Sequence, residues 1–252
     1  MTPLVSIILT HHLDECAEYL KHAIEGCLWQ WTNFDFELIV MSDAKTKPTV
    51  PDDPRLILFH DEQLGNASDK FNHAMANLVH PASQYILLHS DDVCMGVDCL
   101  QILFDRARDA NIPLIQNPLS NSDSVGKYYM PLTLGGVRLG PDIDLETLRD
   151  KLPLLRESRS GLQDLLVPFQ YVSFYCTLIP RSLINQVGPL DRILDLKNND
   201  LDYCLRAARF GAMAMVNFGA FAIHFGSKTL SKIKQPGDDI AADDHFKAKW
   251  TK

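Results

Sequence analysis

Short apolar runs alternate with amphipathic stretches through the first half of the chain, and this alternation restricts the fold more than any other feature. Four apolar runs have the length of strands: residues 5–10, 36–41, 55–60 and 84–89. Two longer stretches, residues 14–30 and 66–79, carry apolar side chains at helical spacing. Strands that alternate with helices are typical of a sheet covered by helices on both faces. We therefore predict an α/β fold with a mostly parallel central sheet flanked by helices.

The second half of the chain is less regular. A helix over 97–108 and a strand over 113–117 continue the alternation, which is then lost over residues 118–170, a stretch with several glycines and prolines. Regular elements are predicted again as strands over 171–179, 212–217 and 220–224, a short helix from 181, and a helix over 200–210. We divide the chain at these changes into residues 1–117, 118–170, 171–225 and 226–252.

Composition and charge exclude several classes of partner and location. Lys and Arg number 24 against 32 Asp and Glu, a formal net charge of -8, which argues against nucleic-acid binding and against a polybasic membrane patch. No signal peptide or transmembrane segment is expected, because the first apolar run lacks a basic lead and no apolar stretch is long enough to span a membrane. The six cysteines are scattered without a CxxC pair. We expect a cytoplasmic protein that meets a membrane, if at all, through its substrate.

Polar side chains stand at the carboxyl ends of three of the predicted strands. Thr10, Asp43 and the Ser90-Asp91-Asp92 cluster stand at strand ends, and ligands of open α/β sheets bind beyond the carboxyl ends of the strands. Two adjacent carboxylates repel each other, so Asp91 and Asp92 indicate a divalent cation or a hydroxyl-rich ligand. Each group also has a structural interpretation. One Asp of the Asp91-Asp92 pair could cap a helix while its neighbour is solvated, and Asp43 could cap a turn.

Two further groups have both a structural and a functional interpretation. Asn199, Asp200 and Asp202 begin a predicted helix, where a carboxylate can cap the free amides, and Asp202 has the i, i+4 spacing to pair with Arg206. His224 ends an apolar strand, where a histidine is more often a satisfied core or rim residue than a metal ligand.

Several short segments occur together in a characteristic order. They are Val5-Ser6-Ile7-Ile8-Leu9-Thr10, Gln30-Trp31 with Phe36-Glu37-Leu38-Ile39-Val40, Ser42-Asp43, Gly65-Asn66-Ala67-Ser68 with Asn72, His89-Ser90-Asp91-Asp92, Val187-Gly188-Pro189-Leu190-Asp191, Asp200-Leu201-Asp202-Tyr203-Cys204-Leu205-Arg206, His224-Phe225-Gly226-Ser227 and Phe246-Lys247-Ala248-Lys249-Trp250. With these motifs the chain resembles the family 2 glycosyltransferases of the GT-A fold over nearly its whole length. It departs from the family pattern at Thr10-His11-His12, at Ser42 and at Asn199.

The resemblance implies a nucleotide-diphospho-sugar transferase fold and assigns roles to particular residues. Asp92 and His224 would hold Mn²⁺ or Mg²⁺, and Asp91 would bind the ribose or assist the metal. Asp43 would accept the imide N–H of uracil, or of thymine or guanine, with Thr10 beside the base. Asp200 would act as the general base that deprotonates the acceptor hydroxyl, so that one displacement inverts the anomeric centre. Candidate phosphate or acceptor contacts complete the set: Lys228, Asn199 and Asp202.

The same resemblance assigns functions to the four segments. Residues 1–117 would bind the donor, preferably a UDP-sugar, and residues 118–170 would form a variable acceptor-side insertion. Residues 171–225 would complete the catalytic core, and residues 226–252 would form a mobile C-terminal loop and a short helix, with a lysine-bearing segment that closes over the diphosphate. The acceptor is left open among a glycan, a lipid-linked saccharide and a protein.

Two alternatives to an inverting glycosyltransferase stay open. A nucleotidyltransferase on a related sheet would need a Gly-rich, Arg- and Lys-bearing phosphate loop after the first strand, where Thr10-His11-His12-Leu13 stands instead. A non-catalytic sugar-nucleotide-binding module would be expected to lack Asp92, Asp200 or His224, and all three are present. A dinucleotide-dependent dehydrogenase lacks its G-x-G-x-x-G motif.

Overall fold

The computed structural model describes most of the chain. The described residues are 2–120, 132–134, 137–139, 165–194, 197–225, 232 and 238–251. The predicted acceptor-side insertion, residues 118–170, falls largely outside them.

Strands and helices alternate through the first half, as predicted. The strands are β1 Val5–His11, β2 Phe36–Ser42, β3 Leu56–His60, β4 Tyr85–Ser90, β5 Val93–Met95, β6 Leu114–Ser120, β7 Leu132–Leu134, β8 Val137–Leu139, β9 Leu166–Phe169, β10 Cys176–Pro180 and β11 Met213–His224. The helices are α1 Ala17–Leu28, α2 Ala67–Asn77, α3 Cys99–Asp109, α4 Arg181–Val187, α5 Asn199–Ala208 and α6 Asp238–Trp250. Two single 3₁₀ turns lie at Asp14–Cys16 and Arg192–Leu194.

Nine of the described strands form one central sheet. Its order is β3-β2-β1-β4-β10-β6-β11-β5, with β9 paired to β11, while β7 and β8 form a separate hairpin. The four strands β3, β2, β1 and β4 are all parallel. Strand β10 runs antiparallel to both β4 and β6, and β6 and β11 are again parallel. The sheet is thus parallel over its first four strands and mixed beyond them, which agrees with the predicted α/β class.

Each face of the sheet carries its own apolar core. Strands β1 and β2 are buried along nearly their whole length, as expected for central parallel strands covered on both faces. Residues such as Val5, Ile7 and Leu9 pack with α1 and α3 on one face, whereas Ile8 and Ile39 pack with α2, α4 and α5 on the other. The two faces alternate along each strand, because successive strand side chains point in opposite directions.

The structure differs from the predicted elements in several places. The predicted helix 14–30 begins as a 3₁₀ turn before α1, and the predicted strand 171–179 starts only at Cys176, after a turn at residues 174–175. Strands 212–217 and 220–224 are one strand, β11, with an irregularity after Asn217, whose Oδ1 accepts the Gly219 N–H at 3.0 Å. Strand β5 was missed, since three residues are too short for a detectable period.

The described helices give no membrane-spanning candidate, since none combines the necessary length with the necessary apolar character.

Candidate functional site

A cavity of about 800 Å³ opens at the carboxyl ends of β1, β2 and β4. Because these strands are parallel neighbours, the residues that follow them meet at one edge of the sheet. The cavity is lined by strand-end residues, by the start of α2, by the turn before β10, and by residues of the C-terminal half: Thr10, His11, His12, Asp43, Glu62, Gln63, Gly65, Asn66, Ala67, Lys70, Phe71, Ser90, Asp91, Asp92, Phe174, Tyr175, Arg192, Ile193, Asn199, His224, Ala241 and Ala242.

The structure brings six of the sequence-predicted site residues to this cavity. They are Thr10, Asp43, Asp91, Asp92, Asn199 and His224. Asp200 and Asp202 are not among the lining residues, and Lys228 lies outside the described part of the chain. Lys232, from the predicted loop, forms an exposed ion pair with Glu15 at 2.8 Å and does not line the cavity.

The Asp91 and Asp92 carboxylates are both about 3% exposed, and each faces a histidine. His11 Nδ1 donates to Asp91 Oδ2 at 2.7 Å, and His11 is itself 1% exposed. His224 Nε2 lies 3.4 Å from Asp92 Oδ1, and its ring stacks on Tyr175 with the ring centroids 5.0 Å apart. Strand β11 carries His224 to this place because its end pairs antiparallel with β5, with His224 opposite Val93.

The Asp92 and His224 pair fits a divalent cation. Two ligands on adjacent corners of an octahedral Mg²⁺ shell are about 3 Å apart, close to the spacing of Asp92 Oδ1 and His224 Nε2. Among the described residues, no group of three or more His, Cys, Asp or Glu side chains could hold a metal ion. A cation held here would therefore complete its shell with oxygens from outside that group, such as phosphate oxygens or water.

His89 is a buried histidine close to this pair. Its Nδ1 donates to the Ser90 carbonyl oxygen at 2.7 Å, and burial lowers its pKa to about 4, so the ring is neutral at physiological pH. Its Nε2 has no hydrogen-bond partner among the described residues. The neutral ring adds no positive charge beside Asp92.

Asp43 is held by two basic side chains that the sequence analysis did not identify. His12 Nδ1 lies 2.8 Å from both carboxylate oxygens, and Lys70 Nζ donates to Oδ1 at 2.6 Å. Burial alone would raise the pKa of Asp43, but the hydrogen bonds from His12 and Lys70 outweigh it and lower that pKa. The carboxylate is therefore ionised at neutral pH.

Two of the missed residues, His11 and His12, had a recognisable signal. His11 ends β1 and His12 directly follows it, so the strand-end rule that selected Thr10 applies to them equally. Lys70 lies next to Phe71 on α2, and its need for a charged partner follows from its burial, only 2% exposed, which the structure alone shows. Its partner, Asp43, could not be identified from local spacing.

The turn before α2 brings Gly65, Asn66 and Ala67 to the cavity. Gly65 has φ +81°, a left-handed conformation that favours glycine, and a Cβ there would also lie 2.6 Å from an Asp69 carboxylate oxygen. Asn66 then caps α2, since its side chain accepts the Asp69 N–H at 2.9 Å. The start of a helix next to the strand ends favours an anionic ligand.

Asp200 lies in the first turn of α5 and is not among the residues that line the cavity. The helix follows Asn198, a residue with φ +69°, and Asn199 rather than Asp200 lines the cavity. Burial raises the pKa of Asp200, although backbone amides of Leu201 and Asp200 and the Ser173 hydroxyl act in the opposite direction. The sequence predicts that the helix N-terminus keeps this carboxylate ionised near neutral pH, and burial acts against that effect.

Asp202 is fully buried and joins α5 to the C-terminal helix. It accepts hydrogen bonds from Arg206 Nε at 2.9 Å and from Trp250 Nε1 at 2.9 Å, and it forms an ion pair with Lys249 at 2.8 Å. The predicted Asp202 and Arg206 pair is therefore present. Because Ala241 and Ala242 of α6 line the cavity, these bonds also hold one of its walls.

Loss of the Asp202 charge is expected to destabilise the protein. Asp202→Asn leaves Arg206 and Lys249 without their shared carboxylate, so the free energy of unfolding should fall by about 3 kcal/mol, measured by urea denaturation. Asp243→Asn is the matched control on α6, because the Asp243 pair with Lys197 is solvent-exposed and should contribute little. Equal stability of Asp202→Asn and the unmodified protein would contradict this role.

The described fold matches that of solved glycosyltransferases. GalNAc-T7, solved with UDP, GalNAc and Mn²⁺, superposes with a TM-score of 0.62 at 10% identity over 87% of this chain. The mannosyltransferase PcManGT from Pyrobaculum calidifontis, solved with GDP-Man and Mn²⁺, superposes with a TM-score of 0.61 at 14% identity over 91% of this chain. This chain spans 42% and 59% of the lengths of those two chains. No protein-family model matches the sequence, and no curated protein matches it at a significant level.

Proposed function

We propose that this protein is an inverting, metal-dependent glycosyltransferase of the family 2 type, which transfers a sugar from a nucleotide-diphosphate donor to an acceptor hydroxyl. The observation that carries the proposal is the Asp92 and His224 pair in a cavity at the strand ends, beside a buried carboxylate at Asp43 and the start of α2. Both structural neighbours were solved with Mn²⁺ and with a nucleotide or nucleotide-sugar, which supports this assignment.

The residues of the cavity divide the work of donor binding among them. Asp92 and His224 would hold Mn²⁺ or Mg²⁺, and that cation would neutralise the diphosphate leaving group. Asp91, oriented by its hydrogen bond from His11, would bind the ribose or assist the metal. The amides at the start of α2 would favour the negatively charged part of the donor.

The acceptor side of the reaction would involve α5. Asp200 would accept the proton of the incoming hydroxyl, and burial makes its carboxylate a stronger base than an exposed Asp. Asn199, which lines the cavity next to Asp200, is a candidate acceptor contact. An acceptor would therefore reach Asp200 past Asn199 and the turn at Phe174 and Tyr175.

Base selection depends on Asp43 and its partners rather than on the fold. One structural neighbour was solved with UDP and the other with GDP-Man, so the shared fold is compatible with either base. Both bases carry a ring imide N–H, whereas adenine and cytosine present a ring acceptor at the corresponding edge. The ionised Asp43 carboxylate and its partners suit uracil and guanine, the bases that carry this N–H.

We expect UDP and UDP-sugars to bind at least about tenfold more tightly than ADP or CDP, with dTDP and GDP as the next best ligands. Isothermal titration calorimetry in the presence of Mn²⁺ measures these affinities directly. Equal affinity for ADP and UDP would contradict this preference.

The proposed function is tested with a panel of nucleotide-sugars, with and without Mn²⁺. A ligand that binds only the native state raises the melting temperature, so a glycosyltransferase should be stabilised by one donor in a metal-dependent way. That donor is then incubated with candidate glycan, lipid-linked saccharide and protein acceptors. NMR of the product gives the anomeric configuration, and retention would overturn the inverting mechanism.

The alternatives make different predictions in the same experiment. A non-catalytic module would bind the donor but would neither transfer its sugar nor hydrolyse it. A nucleotidyltransferase would release pyrophosphate from a nucleoside triphosphate rather than a nucleoside diphosphate from a nucleotide-sugar.

A further inference from the structure

We infer that His12, held in one orientation by Asp43, is the residue that reads the donor base, and that it selects nucleoside diphosphates whose base presents a ring imide N–H. This inference rests on the proposed function and names the specificity-determining residue of its nucleotide site.

His12 lies beside Asp43, just beyond the ends of two neighbouring strands. Strands β1 and β2 are parallel and end in register, with His11 opposite Ser42, so the next residues, His12 and Asp43, lie side by side. The Asp43 N–H donates to the His11 carbonyl oxygen at 3.3 Å, which continues the pairing past the strand ends. The sheet itself therefore sets the contact between the two side chains.

The His12 and Asp43 side chains differ in exposure. The Asp43 side chain is 4% exposed, and the His12 side chain is 36% exposed at the cavity. Both Asp43 oxygens already accept from His12 Nδ1, and Oδ1 also accepts from Lys70. A base that enters the cavity meets much more of the His12 ring than of the Asp43 carboxylate.

The contact with Asp43 sets the tautomer of His12. An ionised carboxylate only accepts hydrogen bonds, so the imidazole nitrogen that faces it, Nδ1, carries the hydrogen. In a neutral ring the second nitrogen, Nε2, is then an acceptor. Lys70 already supplies a positive charge beside Asp43, so the contact does not require a charged imidazole.

The acceptor nitrogen of His12 is complementary to a base that carries a ring imide N–H. An acceptor at His12 Nε2 matches the N3–H of uracil or thymine and the N1–H of guanine. Adenine and cytosine present a lone pair at the matching ring position, and two facing acceptors cannot form a hydrogen bond. Asp43 would thus act through His12, as a positioning residue.

The test compares UDP with N3-methyl-UDP, in which a methyl group replaces the imide hydrogen. Affinities are measured by calorimetry with Mn²⁺ for the unmodified protein and for His12→Phe, which retains a ring over Asp43 but has no acceptor. We expect the unmodified protein to prefer UDP by about tenfold or more, and His12→Phe to bind both ligands within about twofold of each other. His12→Gln, whose amide can donate to Asp43 and also accept, should retain part of the preference.

Two controls separate this effect from misfolding. His22 is another partly buried histidine with a carboxylate neighbour, Glu25, and it does not line the cavity. His22→Phe should therefore leave the preference for UDP over N3-methyl-UDP unchanged. Inorganic pyrophosphate with Mn²⁺ should bind His12→Phe as it binds the unmodified protein, because it has no base.

Two outcomes overturn different parts of the argument. A preference for UDP that persists at full size in His12→Phe would overturn the role of His12 and leave the proposed function intact. An unmodified protein that binds neither UDP nor GDP would overturn the proposed function, and the inference with it.

Discussion

Asp92→Asn is expected to abolish metal-dependent donor binding. Asparagine keeps the size of the side chain but replaces a charged oxygen ligand with a neutral one, while His224 stays 3.4 Å away as a single remaining ligand of the pair. Calorimetric affinity for UDP with Mn²⁺ should fall by at least about 100-fold, to the value measured with EDTA. His224→Ala should weaken the same binding by a smaller factor, since water can replace one imidazole.

Two comparisons make the Asp92 prediction specific. Asp53→Asn changes a carboxylate that pairs with Arg55 outside the cavity, and its metal-dependent binding should equal that of the unmodified protein. If His224→Ala retained full Mn²⁺ dependence, His224 would be a structural residue that packs on Tyr175. If Asp92→Asn retained it, the metal assignment itself would be wrong.

Asp200→Asn is expected to lower turnover by about 10²- to 10⁴-fold while donor affinity stays close to that of the unmodified protein. Asparagine keeps the size and polarity of the side chain but cannot accept the acceptor proton. Asp200 does not line the cavity, so the measurement decides between a role in the chemical step and a role only in supporting α5. The measurement is the steady-state rate of sugar transfer, with the melting temperature recorded in parallel.

Asp202→Asn is the comparison for Asp200→Asn within the same helix turn. The main effect of Asp202→Asn should be a loss of stability, with a smaller loss of turnover than in Asp200→Asn, because Asp202 is buried against Arg206, Lys249 and Trp250. If Asp200 only caps α5, Asp200→Asn should leave both stability and rate nearly unchanged, because Asn caps a helix almost as well as Asp. A stable Asp200→Asn protein that transfers sugar at more than about a third of the unmodified rate would remove Asp200 from the mechanism.

The alternation of strands and helices determined much of the fold by itself. Apolar period and strand length are local properties, and they located β1 to β4, α1 and α2 to within a few residues. They could not show that β10 would insert antiparallel between β4 and β6, because strand pairing depends on contacts between residues far apart in the chain. The three-residue strand β5 carries too few side chains for any pattern.

The same local information located part of the candidate site. Thr10, Asp43, Asp91 and Asp92 could be grouped from the sequence, because the carboxyl ends of parallel neighbouring strands meet at one edge of the sheet. The order of motifs added His224 and Asn199, which line the same cavity.

Only the tertiary structure decided which charged side chains hold one another. Lys70 reaches Asp43 from α2, and Lys249 and Trp250 reach Asp202 from the C-terminal helix. Neither pairing has a spacing that a sequence pattern could reveal, since each joins elements that are distant in sequence and adjacent only after packing. Burial then sets the chemistry of these groups, because a carboxylate removed from water is stabilised only by the donors that the fold brings within hydrogen-bond distance.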